Sequence, residues 1–407
     1  MLTNVLLEEA QDLLINNLIA LPGRFVDLET ALGRVCRQDI HASHDLPPFW
    51  QAAMDGYALF ISNDANRRQY LLRKSSRPGY DPGFSLQPGQ AAGVATGGLV
   101  PPGAQAVIPQ ELTELKGEYV TCLSSVRPGD NLKEPGEDFH SGDIIAKQGA
   151  FLSPGLISAL AAYGISRVEV FPRPKVAVLS LGKGIVPCYE TPAPGQMRDS
   201  NGPLLAALAQ LDGAQTLEPE TAGGMEPAEI KHRLEQLLRQ VDVVLTTGGA
   251  AFGACDQALD SIRQAGARPL FWGVKIKPGS HSGAAVLDTK LIIALSGNPA
   301  ACAVGYHLLA GPVLRALQGR KLGPVRLEAV CKNSFPKKGG PRRFVRGHAF
   351  WGQDKWQVTC LPGQKSSMLR SLTNYNALID LPAGCPPVEK GQEVSIILLP
   401  DCGAWCD

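Results

Sequence analysis

The stretch VDVVLTTGGAAFGACDQALDSIRQAG, residues 241–266, decides the fold. VDVVL is apolar without alternation, as a strand covered on both faces requires. It ends in Thr246-Thr247-Gly248-Gly249, and CDQALDSIRQAG resumes with a helical period. A strand that stops in Gly-Gly before a helix is a common way to hold a phosphate. Glycines let the backbone approach closely, and a helix start aims free N–H groups at an anion. Such a turn usually carries a hydroxyl and a carboxylate as well. Here Ala250 and Ala251 follow the glycines, and the first acid is Asp256.

The same texture extends to either side. KVAVLSLG (175–182) reads as a buried strand, and NGPLLAALAQLDG (201–213) and AEIKHRLEQLLRQ (228–240) have helical spacing. LIIALSGNPAACAVGYHLLAGPVLRAL (291–317) reads as strand, turn and long helix. This alternation predicts an α/β domain with a mostly parallel sheet and helices on both faces. Ligands of such sheets bind beyond the carboxyl ends of the strands. Three strand-end loops are therefore candidates: LGKGIV with Gly182, TTGGAAFGACD with Gly248, Gly249 and Gly253, and SGNPAA with Asn298 and Pro299. Any one glycine after a strand is more often only a turn; three in one sheet carry more weight. VKIKPGS (274–280) adds Lys275 and Lys277, either of which could point into the same cleft or into solvent.

The 407-residue chain is too long for one core. A net charge of +1 gives no field that would point to nucleic acid or an anionic membrane. No apolar run is expected to reach the length of a bilayer span. The start, MLTNVLLEEAQDLLINNL, mixes acids with leucines and reads as an amphipathic helix over 3–19 rather than a signal peptide, so the cytoplasm is the expected compartment. Ten scattered cysteines without a C-x-x-C pair argue against structural zinc. The Cys402/Cys406 pair in the terminal CGAWCD could form a redox or metal-scavenging hook, but it reads more readily as a frayed end.

Outside the α/β region the glycines and prolines cut the chain into short elements. FVDLETALGRVCRQDI (25–40) suggests a strand and a second helix, residues 60–135 read as β, and 142–171 as strand, helix, strand. Beyond Gly319 the short segments predict a small β-rich domain. AMDGYALF places Asp55 on an Asp-Gly turn, VATGGLVPPGAQAVIPQE (94–111) carries Thr96, and KEPGEDFHSGD (133–143) carries Asp138. Each has ordinary turn or loop chemistry as its plain alternative.

As an ordered set these segments resemble the MoeA family, the molybdenum-insertion enzymes of molybdenum-cofactor synthesis, related to the E domain of gephyrin. The matches run through ALGRV, DLPPF, AMDGYA, ATGG-x-VPPGA-x-AVI-x-QE, PGEDFHSGD, RPKVAVLSLG, GQMRDSN-x-PLLAAL, DVVLTTGG, KIKPG and SGNPAA. Weaker echoes are RRFVRG (342–347) and GQKSSMLRSLTNYNALI (363–379). The resemblance implies an elongated four-domain protomer, usually a homodimer. Its divisions here are 1–44 with 139–172, a small β-rich 45–138, a MogA/MoaB-like α/β 173–318, and a β-barrel-like 319–407.

The implied reaction inserts molybdate into adenylylated molybdopterin with release of AMP, aided by Mg²⁺. The resemblance puts Asp55, Asp138 and Lys277 in catalysis. It puts Thr96, Gly182, Asp199, Gly248, Gly249, Gly253, Asn298 and Pro299 around the pterin nucleotide, and Asp199 and Asp256 on the metal. It also implies a MogA-type adenylyltransferase and molybdoenzyme chaperones as protein partners.

Departures cluster on charged groups. GDEL has become Gly182-Lys183-Gly184-Ile185, and GGVSVGDYD has become GGAAFGACD, which loses a hydroxyl at Ala251 and an acid at Ala254. KPGKP has become KPGSH, PGNP has become SGNP, and FDNSAMDGYA has become FWQAAMDGYA. A second reading therefore stands beside the enzyme: a paralogue that binds molybdopterin or the finished cofactor as carrier, chaperone or regulator. A free-standing MogA-type adenylyltransferase is disfavoured, because residues 1–170 and 320–400 match the longer family.

Overall fold

The computed structural model describes residues 1–61, 68–75, 83–249, 257–320, 325–337 and 339–399. The chain divides into two compact units, Phe25–Val168 and a second made of Met1–Arg24 with Glu169–Asp407.

In the second unit the strands Lys175–Ser180, Val243–Thr247 and Lys290–Leu295 run parallel, with Val176 beside Val243 and Val243 beside Leu291. Gly283–Leu287 and Arg268–Val274 extend the sheet antiparallel. One face packs on the helices Leu7–Asn16, Asn201–Leu211 and Pro299–Gly305, with Val178, Leu245, Leu205 and Cys302 in a single apolar cluster. The other face packs on Pro227–Gln240 and Gln257–Gln264 through Leu179, Val244, Leu234 and Ile262. Burial on both sides is why these strands lack polar alternation.

The C-terminal segments close a barrel. Arg342–Gly352 pairs with both Lys355–Cys360 and Ala377–Leu381, and Glu393–Leu398 joins Ala377–Leu381 to Val325–Cys331. Val325–Cys331 returns in parallel to Lys355–Cys360, which completes the ring. Closure leaves no open edge. Phe344, Leu378 and Ile397 of the barrel belong to the same apolar cluster as the sheet.

The unit Phe25–Val168 contains a six-stranded sheet in the order Ala106–Pro109, Gly56–Leu59, Gln90–Val94, Gln69–Ser75, Tyr119–Cys122, Thr113–Lys116. It also holds the helix Pro154–Ala162, started by Ser153, whose hydroxyl accepts from the Leu156 amide at 3.3 Å.

Three sequence expectations are corrected. Residues 2–5 are not helical: Leu2–Val5 pairs in parallel with Arg268–Val274, covering an otherwise open sheet edge, and the helix is Leu7–Asn16. The second helix expected within 25–40 is only the single turn Leu28–Thr30. Gly33 has φ +75°, and Val35 and Ile40–His41 pair with Phe151 and Ile144–Ala146, so long-range pairing overrides local period. Among the described residues one helix, Pro299–Leu317, is long and apolar enough to cross a bilayer, contrary to the expected absence of such a run. An 18-residue stretch of it is 89% buried inside the protein, so it is a core helix, interrupted by a π-helical turn at Tyr306–Ala310.

Candidate functional site

The three parallel strands end side by side, and their loops are tied together. The Gly248 amide donates to the Leu295 carbonyl at 3.2 Å. Gly248 has φ +81°, and a Cβ there would lie 2.3 Å from the Leu181 carbonyl oxygen, so only glycine fits. Thr247 Oγ1 donates to the Ser296 carbonyl at 3.0 Å, and Asn201 Nδ2 donates to Thr247 Oγ1 and to the Gly297 carbonyl, both at 2.9 Å. Ser296 Oγ donates to the His281 carbonyl at 3.3 Å. Asn298 is the N-cap of the core helix, exposed, with no side-chain cap bond.

Facing these loops is the barrel. The short strand Ile276–Lys277 pairs in parallel with Arg342–Gly352, which sets Lys277 beside Arg343. The loop 363–367 is drawn in by Arg346, which is 1% exposed. Its Nη2 donates to the carbonyls of Gly363 (3.1 Å) and Lys365 (3.3 Å), and its Nε to Ser371 Oγ (3.1 Å). Burial holds the Arg346 guanidinium down to about 10. Gln364 Nε2 donates to the Arg346 carbonyl at 2.7 Å, and the Ala300 amide, in the first turn of the core helix, donates to the Ser366 carbonyl at 3.0 Å. Backbone and buried guanidinium together hold this loop over the helix start.

Between the two walls lies a cavity of about 970 Å³, toward the upper end for small-molecule sites. Lys277, Lys337, Arg343, Arg346 and Lys365 line it, with His281 and, among the described residues, no carboxylate. Burial, and then the charges of Arg343, Lys277, Arg346 and Lys365, hold the Lys337 amine below its ordinary value. Such a space favours a densely anionic ligand.

Of the residues picked out by sequence, Gly248, Gly249, Lys277 and Asn298 line this cavity. Pro299 begins the helix beside it, while Gly182, Asp199, Lys275 and Lys183 are not in its lining. Asp199 is 6% exposed, and its Oδ1 accepts from the amides of Asn201 (3.0 Å) and Gly202 (2.9 Å), which starts the helix Asn201–Leu211. Gly253, Asp256 and the Cys402/Cys406 tail lie outside the described residues.

Asp55, Thr96 and Asp138 belong to the unit Phe25–Val168. Asp55 Oδ1 accepts from the Thr96 amide (2.7 Å) and hydroxyl (2.9 Å), and these bonds, the amide's first, hold its carboxyl below the usual range. Asp138 is exposed, and its amide donates to the Leu46 carbonyl at 2.9 Å. Sequence reasoning missed Lys337, Arg343 and Lys365 as site residues. The echoes RRFVRG and GQKSSMLRSLTNYNALI contain Arg343 and Lys365, and were the available signal.

The divalent cation implied by the resemblance does not fit the described residues. None of them form a group of three or more His, Cys, Asp or Glu placed for a metal. The one described candidate ligand, Asp199, has an oxygen committed to two amides.

Fold and site define a molybdopterin-binding type of α/β protein with an appended barrel: residues 177–316 match the family model "Probable molybdopterin binding domain". Residues 5–164 match "MoeA N-terminal region (domain I and II)", and residues 328–399 match "MoeA C-terminal region (domain IV)". The chain is similar to the molybdopterin molybdenumtransferase of Bacillus subtilis, 31% identical over 92% of this chain and 89% of that protein. It is 28% identical to that of Staphylococcus aureus, over 96% and 94%. The crystal structure of the molybdopterin biosynthesis moeA protein from Pyrococcus horikoshii superposes with a TM-score of 0.80 at 27% identity, covering 97% of this chain and 100% of that one. The chain belongs to the MoeA family.

Proposed function

We propose that the chain is a molybdopterin molybdenumtransferase, which inserts molybdate into the dithiolene of adenylylated molybdopterin and releases AMP. One observation carries the reading: a cavity of about 970 Å³ sets five cationic side chains against the Gly248-Gly249 loop, with no acid among the described residues of its lining. The substrate is a phosphoanhydride with further anionic groups. Ammonium and guanidinium groups would hold its phosphates and stabilise the charge that develops on the departing AMP. Gly248 and Gly249 allow the backbone to approach, and the Asn298 side chain is free to hydrogen-bond the ligand.

Lys277 is proposed to bind phosphate or molybdate. Asp55 and Asp138 are proposed to take part in the chemistry, and Thr96, which holds Asp55, in orienting it. A homodimer is part of the reading, supported by the exposed apolar side chains of Phe25, Leu32 and Phe151. The four-part division and a cytoplasmic setting are also part of it.

The test supplies purified protein with adenylylated molybdopterin, molybdate and Mg²⁺, then measures AMP and bound molybdenum. AMP release coupled to metal uptake is expected. Tight pterin binding without AMP would leave the carrier reading, and no binding would end both.

A further inference from the structure

The charge balance of the cavity reaches further, on the basis of the nucleotide reading just given. Lys277 and Arg343 stand in register on neighbouring strands, and Lys337 and Lys365 arrive from two other barrel segments. Among the described residues, none of these four side chains is in an ion pair with a carboxylate. Arg342, one residue from Arg343, shows the contrast: it meets Asp380 at 2.7 Å and also pairs with Glu8. Arg342 is a neutralised structural cation, whereas the cavity's four are held close together with their charge unspent. Their mutual repulsion weakens when a polyanion arrives and grows if a free divalent cation enters.

Mg²⁺ binds through carboxylates, phosphates and water, and among the described residues this lining offers it no carboxylate. Within the cavity it would compete with the lysines and Arg343 for the same phosphate oxygens.

We propose that Lys277, Lys337, Arg343 and Lys365 bind the diphosphate of the substrate directly and in metal-free form, in place of a divalent cation. The site is then selective for diphosphate esters that carry no bound metal. Arg346, already committed to Ser371 and two carbonyls, is a positioning residue for the 363–367 loop.

The probe is ADP, a diphosphate ester of adenosine, titrated calorimetrically into the full chain in EDTA and again in excess MgCl₂. Affinity in EDTA is expected to equal or exceed that in Mg²⁺. Lys337→Ala and Lys365→Ala should each weaken ADP about three- to tenfold, as loss of one partly solvated charge contact does, and flatten the salt dependence. Thermal melts of both variants show whether they remain folded. ADP binding about tenfold tighter with Mg²⁺ would overturn the inference and leave the nucleotide site standing. So would folded variants that bind ADP as the parent does. Absence of ADP binding in both buffers would overturn the inference and the nucleotide reading together.

Discussion

Gly248 shows how much one position can decide. Its φ of +81° is disfavoured for any side chain, and a methyl group would press on the Leu181 carbonyl at 2.3 Å. Gly248→Ala is therefore expected to cost about 2–4 kcal/mol, from a strained backbone and a displaced neighbouring loop. The urea midpoint should fall with an unchanged slope, and ADP binding should weaken with it; a midpoint equal to the parent's would contradict the close packing of the Gly248 and Leu181 loops. This glycine was legible because an apolar run that stops in Gly-Gly marks a buried strand ending in a tight turn. Lys337 and Lys365 were not. A lysine in a β-rich segment reads as solvated surface, and only the folded loops, one of them drawn in by Arg346, bring these two to one cavity with Lys277.

At the scale of elements, the core helix is broken by the π-helical turn Tyr306–Ala310, in which His307 is buried with its ring against Tyr306 and Tyr375. The ring bonds Tyr375 Oη at 2.8 Å, and burial, then the charge of Arg315, holds its pKa down to about 3 from 6.5. The folded protein thus keeps His307 neutral where the unfolded chain takes up a proton. The neutral ring supports the fold above pH 6.5, and that support is lost as pH falls toward about 3. The stability difference between the parent and His307→Gln should shrink across this window by at most about 1.4 kcal/mol per pH unit. Parallel pH curves for the two proteins would show that His307 is protonated in the fold. The helix itself was evident from its period. The π-turn has no local signature, since it forms where Tyr306 reaches Asp212 (2.8 Å) and His307 reaches Tyr375.

At the scale of the molecule, Phe25–Val168 is a continuous segment with its own apolar clusters, including Val94, Val107, Leu59 and Val120. Expressed alone, it is expected to fold and to unfold cooperatively on heating, with dispersed amide NMR signals; a collapsed spectrum would show that it needs the rest of the chain. The other unit is discontinuous: its first residues supply the edge strand Leu2–Val5 and the helix Leu7–Asn16 to a sheet built from residues 175 onward. An amphipathic helix was readable in those residues, but the strand before it was not. A four-residue strand with one buried side chain gains its stability from the partner edge rather than from its own pattern.

By itself the sequence determined the doubly covered sheet, the three glycine-bearing strand ends and the family, because burial on both faces and tight turns leave dense local signals in the order of residues. Only the tertiary structure decided which cations share a space. Lys277, Lys337, Arg343 and Lys365 are separated in the chain and meet through barrel closure and strand register. Those are long-range pairings whose free energy depends on partners that no local stretch contains.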